Sequence, residues 1–180
     1  MDAPQKEIYT TEYIYALPEG KRAELIDGRI YDMAPTNTIH QRICYALARK
    51  ISDHIDRKDG SCEVFPAPFA VFLSRDSRNY VEPDISVICD GNKIDDRGCN
   101  GAPDWVIEIV SPSTQRMDYD IKLFKYRTAG VREYWIVNPM TGIVNVYDFE
   151  NGKGSAQYRF DEEIQVCIYD DLQMKISDLL

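Results

Sequence analysis

The stretch Trp105 to Thr114, WVIEIVSPST, sets one carboxylate inside a run whose other members belong in a dry core. If it forms a strand, side chains alternate across it, so Asp104, Val106, Glu108 and Val110 share one face and Trp105, Ile107 and Ile109 the other. Glu108 then stands between two valines. A carboxylate there stays ionised only with a cation, a hydrogen-bond donor or access to water.

A second run supplies a neighbour. EPDISVIC, Glu82 to Cys89, carries Asp84 directly after Pro83, and proline suits the start of a strand because it has no N–H to give to the ladder. Two carboxylates converging from adjacent strands suit a hard divalent cation such as Mg²⁺ or Mn²⁺, which takes oxygen ligands and assists attack of water on phosphorus. The bland reading of Asp84 is a strand-start turn.

Downstream, SPSTQRMDYDIKLFKYRTAG predicts a helix capped by Ser or Thr, burying Met117, Ile121 and Phe124 and stopped at Gly130. Asp118, Lys122 and Tyr126 recur every four residues and form a stripe bordering that packed face. Lys122 can keep its stem covered and send its ammonium along the sheet, to orient water or offset developing negative charge. The competing reading pairs Lys122 with Asp118 on the surface, at about 0.3–0.5 kcal/mol. Lys125 is a rival cation, and Tyr126 either packs over Lys122 or donates its hydroxyl nearby. The SPST segment reads as capping ahead of phosphate binding, and Trp105 and Trp135 as core or subunit-contact aromatics.

Further out, VREYWIV follows the helix at once, so strand, helix and strand predict a right-handed crossover with parallel strands. CEVFPAPFAVFL, PDISVIC and DWVIEIV read as strands of one sheet. Asp27-Gly28 between two apolar-containing runs predicts a hairpin after a short helix opening at Thr10 or Thr11. Ile39, Ile43, Leu47, Ile51 and Ile55 predict a long amphipathic helix capped at Asn37 or Thr38, with His40 beside the buried stripe. GIVNVYDF, AQYRF and EIQVCIY are three further β-like runs that extend or flank the sheet.

The chain has 180 residues, enough for one domain spanning 1–180. With 21 Lys and Arg against 30 Asp and Glu, its net charge of −9 argues against nonspecific nucleic-acid binding through bulk charge. Any phosphate contact needs a local cation. Five cysteines without a C-x-x-C pair suggest neither a zinc site nor a disulfide framework, but small core residues in a reducing compartment. No apolar run reaches the roughly 18 residues of a membrane span, and the amino terminus lacks an apolar signal core, so a soluble cytoplasmic protein is expected.

Taken in order, AELIDGRI, His40, EPDISVI, WVIEIVSPST and DYDIKLFKYRTAGVREYWIVNP resemble the Uma family, a bacterial branch of the PD-(D/E)XK restriction-endonuclease-like superfamily. The likeness spans roughly Tyr9 to Asp148 and rests on several motifs in sequence rather than on one. It implies an α/β fold, a mixed central β-sheet flanked by helices, with the hairpin before it and β-strands after it. It also implies a divalent metal, Mg²⁺ or Mn²⁺, on Asp84 and Glu108, with Glu24 at a further acidic position and His40 at a polar position near the site. Where the wider superfamily carries lysine in a Glu-x-Lys motif, this chain has Val110, and Lys122 on the next helix is the natural replacement. The activity implied is Mg²⁺- or Mn²⁺-dependent hydrolysis of DNA phosphodiesters, in a homodimer or with a protein partner. The alternative is an inactive nuclease-fold module for nucleic-acid binding or homo-oligomeric assembly.

Overall fold

A six-stranded mixed sheet organises the molecule, and the run around Glu108 lies in its interior. The structure is a computed structural model describing residues 7–180, so the reading of residues 1–6 lies outside the described residues. The chain enters through α1 (Thr11–Tyr15) and the hairpin β1 (Ala23–Ile26) and β2 (Arg29–Asp32), then α2 (Thr38–Arg57). Short strands follow: β3 (Glu63–Pro66), β4 (Val71–Phe72), β5 (Tyr80–Val81), β6 (Ile85–Ile88), β7 (Ile94–Asp95), β8 (Gly98–Asn100) and β9 (Trp105–Ile109). A π-helical stretch, Met117–Lys122, runs into α3 (Leu123–Ala129), and β10 (Glu133–Asn138), β11 (Ile143–Asp148), β12 (Gly154–Arg159), β13 (Ile164–Gln165) and β14 (Gln173–Met174) complete the order.

The central sheet runs β12-β11-β10-β9-β6-β3. β9 and β10 pair in parallel, as the crossover requires, and the other pairings are antiparallel. A second sheet, β2-β1-β5-β4-β8-β7, collects the hairpin and the short strands. The expectation of one sheet for the 62–110 region is thus corrected: β3, β6 and β9 belong to the central sheet, whereas β4 belongs to the second. Pro66 closes β3 and Pro68 follows it, where a continuous ladder would need their missing N–H groups.

The two faces of β9 feed two different cores. Trp105, Ile107 and Ile109 pack with Ile43, Leu47 and Ile51 of α2 and with tail residues such as Ile164 and Leu172. Val106 and Val110 pack with Tyr126, Tyr134 and residues of the second sheet, including Val71 and Val81. Trp105 and Trp135 are fully buried and meet edge to face at 5.0 Å, making them core aromatics.

Local signals explain several boundaries. Asp27 and Gly28 both take positive φ, 50° and 73°, as a two-residue hairpin loop needs, and a Cβ at Gly28 would come within 2.5 Å of Ile8 Cγ2. Asn37 caps α2 by accepting from the His40 amide at 3.0 Å. The α2 stripe holds from Ile43 to Ile55, but Ile39 is exposed, since the first turn projects past the core that the later turns cover. β11 and β12 extend the central sheet, while EIQVCIY contributes only β13, paired with β14.

Two further expectations need correction. Cys62 and Cys89 form a disulfide, because they lie one step beyond the Glu63–Ile88 pair of the β3–β6 ladder although 27 residues apart in the chain. Cys44 and Cys99 are free and buried, and Cys167 is free and half-buried. In the helix after β9, Phe124 is exposed and Met117 and Ile121 only half-buried; the buried stripe is the polar one, Asp118, Lys122 and Tyr126. Lys122 and Tyr126 tolerate burial because they find partners inside.

Glu133 is a buried carboxylate with a structural task. It accepts from Trp135 Nε1 at 2.6 Å and from the amides of Cys167 and Ile168 at 2.9 and 3.0 Å, tying the tail to β10. Glu133→Ala leaves three donors without a partner, so chemical denaturation should show a loss of about 3 kcal/mol.

Candidate active site

The β6–β9 register brings the two carboxylates together. Ile85 pairs with Ile107, so Asp84 and Glu108 face each other one step further along, at the mouth of the antiparallel pair. Asp84 Oδ2 accepts the Ile109 amide at 2.7 Å, replacing a ladder hydrogen bond where β6 begins. The same oxygen lies 3.1 Å from His40 Nε2, delivered by the first turn of α2. His40 Nδ1 is buried and has no partner among the described residues. Asp84 Oδ1 accepts no hydrogen bond among the described residues.

Glu108 is held from the opposite side. Its Oε1 accepts from Lys122 Nζ at 2.9 Å and from the Tyr126 hydroxyl at 2.6 Å. Among the described residues its Oε2 meets only the Asp84 amide, at a long 3.4 Å. Each of the two facing carboxylates therefore has one engaged oxygen and one nearly free oxygen.

Lys122 is buried, with Nζ at 2.9 Å from Glu24 Oε1 and 2.8 Å from Glu24 Oε2. Glu24 comes from β1, and its Oε1 also accepts the Glu82 amide at 2.9 Å. The partners of Lys122 are thus Glu24 and Glu108, and the competing reading of a surface pair with Asp118 does not hold. Lys125, the rival, pairs with Asp27 at the surface. The π-helical stretch just before α3 widens the backbone turn and lets Asp118, Lys122 and Tyr126 all face inward.

These groups line a cavity of about 470 Å³, with Asp84, Glu108, Lys122, Glu24, His40 and Asp118 all contributing. Glu82, which the sequence reading left without a role, also lines it, tied to Arg22 and to the Tyr80 hydroxyl at 2.7 Å. Its only sequence signal is its place two residues before Asp84. The Ser111 amide and hydroxyl are turned onto Thr114 Oγ1 at 3.0 and 3.2 Å, in keeping with capping.

The electrostatics show a shortage of positive charge. Burial pushes Glu108 well above the usual carboxylate range, Lys122 opposes this, and Asp84, Asp118 and Glu24 add to it. Burial would draw the Lys122 ammonium down, but Glu108, Glu24 and Asp118 together outweigh it and hold it well above its usual value. Burial is the main cause for Glu108, whereas the carboxylates around a single ammonium are the cause for Lys122. Among the described residues no three acidic, histidine or cysteine side chains converge as a closed metal cluster. The two facing carboxylates still match a cation that keeps much of its water, as Mg²⁺ does.

With two mixed sheets and flanking helices, the molecule has a restriction-endonuclease-like fold. The chain belongs to the Uma2 family, described as "Putative restriction endonuclease", whose model matches residues 10–176. It is similar to the crystal structure of "a putative nuclease belonging to DUF820" from Anabaena variabilis, with a TM-score of 0.76 and 22% identity over 94% of this chain and 96% of that one. It is also 26% identical over 147 residues to an uncharacterized protein of Synechocystis sp., covering 81% of this chain and 76% of that protein. No helix among the described residues is long and apolar enough to cross a membrane.

Two outcomes follow from this geometry. Lys122→Met leaves Glu24 and Glu108 buried without their cation, and denaturant titration should show a loss of about 3–5 kcal/mol, far above a surface pair. Burial raises Asp118 from 3.8 to about 6. Its folded-state pKa is above its unfolded one, so native stability declines as pH rises between those values. Thermal melts should therefore show Asp118→Asn gaining on the native protein across that window, by about 3 kcal/mol, and no further above it.

Proposed function

We propose that this protein is a divalent-metal-dependent DNA endonuclease, with Asp84 and Glu108 holding Mg²⁺ or Mn²⁺. One observation carries the reading: two carboxylates face each other across β6 and β9, each with one oxygen engaged and the other nearly free. Several carboxylates line the cavity beside the one Lys122 ammonium, which favours a bound cation, and the nuclease description of the family points the same way.

When bound, the ion supplies positive charge against a phosphoryl group and makes a nearby water more acidic. The chain's own residues do the rest. His40 and the Ile109 amide hold Asp84 in one orientation. Glu24 grips Lys122 through both oxygens, so the ammonium is fixed at the cavity wall, where it offsets charge developing on a phosphate oxygen. Lys122, held above its usual pKa, acts as a charge and a donor and not as a base. Glu24 is an anchor for Lys122 in this arrangement, and a cation ligand only if Lys122 withdraws.

A homodimer belongs to the same reading. β12 is a six-residue edge strand, largely exposed and free of proline, able to pair with its copy. Sedimentation at micromolar concentration should show a dimer that Ala156→Pro weakens.

The deciding experiment is Mn²⁺ calorimetry with plasmid nicking on the native protein, Asp84→Ala and Glu108→Ala. Expected are Mn²⁺ binding and nicking by the native protein, with nicking down by at least about 100-fold in either variant. Native protein that is folded yet neither binds Mn²⁺ nor cuts DNA of varied form would overturn the proposal.

A further inference from the structure

Glu108 has two oxygens in a dry setting, and rotation about its last side-chain bond exchanges them. What prevents exchange is the pair of donors on Oε1. Lys122 Nζ is one, but its hydrogen bonds are shared with Glu24. The other is the Tyr126 hydroxyl, at 2.6 Å, on a ring that is fully buried and packed edge to face against Tyr134 at 4.9 Å. A phenol has few rotatable bonds, and this one is locked in the core.

We infer that Tyr126 is a positioning residue of the cation site: its hydroxyl claims Oε1 of Glu108 and thereby turns Oε2 toward Asp84. The inference rests on the cation-binding reading above. Two features of the backbone support it. Oε2 already lies toward the Asp84 amide, at 3.4 Å. The π-helical stretch ends at Lys122, one α-helical turn before Tyr126, so both donors reach a single oxygen from one side. Groups that hydrogen-bond a metal ligand from behind orient it, and their loss typically weakens metal affinity or activity about 10- to 100-fold.

The test is Tyr126→Phe, which deletes one oxygen and keeps the ring, with Tyr134→Phe as the control. The Tyr134 hydroxyl is buried in the same cluster but donates to the Asp118 carbonyl, at 3.1 Å, and does not touch Glu108. Mn²⁺ affinity is read by calorimetry and fold integrity by thermal melting, on both variants and the native protein. Expected is a Mn²⁺ affinity lower by about 10- to 100-fold in Tyr126→Phe and unchanged within about twofold in Tyr134→Phe, with similar melting temperatures for the two. Equal Mn²⁺ affinity in Tyr126→Phe and the native protein, or equal weakening in both variants, would overturn the role of Tyr126 and leave the cation site standing. Native protein that binds no Mn²⁺, or binds it regardless of Asp84→Ala and Glu108→Ala, would remove the cation site and this inference with it.

Discussion

The buried ammonium of Lys122, shared between Glu24 and Glu108, is the interaction on which the rest depends. It joins the hairpin of the second sheet, the middle of the central sheet and the crossover helix at one point. Breaking it would leave two buried carboxylates without their cation, a condition far more costly than loss of a surface pair. The same contact that aligns three layers therefore also shapes the cavity.

β9 makes this possible by serving two cores at once. One face is wholly apolar and seats α2, so the strand is held whatever happens on the other. The other face accommodates Glu108 between Val106 and Val110, where polar groups from the crossover helix reach it. A strand buried on both sides excludes water, and this makes each remaining charge count more. The surplus of negative charge is local to the cavity and distinct from the −9 of the whole chain.

The nuclease reading and the family membership meet in this geometry. Family likeness over residues 10–176 places the chain in Uma2, and the likeness to the Anabaena protein speaks for the fold. Which atoms are free to take a cation comes from the hydrogen bonds alone. Asp84 and Glu108 could be picked out because charge in a strand-like apolar run is unusual, and Lys122 because it borders a helical stripe. Glu82 and the role of Tyr126 were less visible, since a glutamate before proline and a tyrosine in a helix have ordinary explanations.

By itself, the sequence determined the hairpin at Asp27-Gly28, the amphipathic α2, the parallel crossover and the two-faced character of β9. All of these follow from short-range spacing and turn chemistry. Tertiary structure decided the rest: the split into two sheets, the Cys62–Cys89 bond, the exposure of Phe124 and the choice of Glu24 and Glu108 over Asp118 as partners of Lys122. The reason is physical. Periodicity states which residues share a face, but whether an apolar or a charged stripe turns inward depends on what the opposite layer offers. Here that layer offers two carboxylates from distant strands, and the charged stripe is the one that is buried.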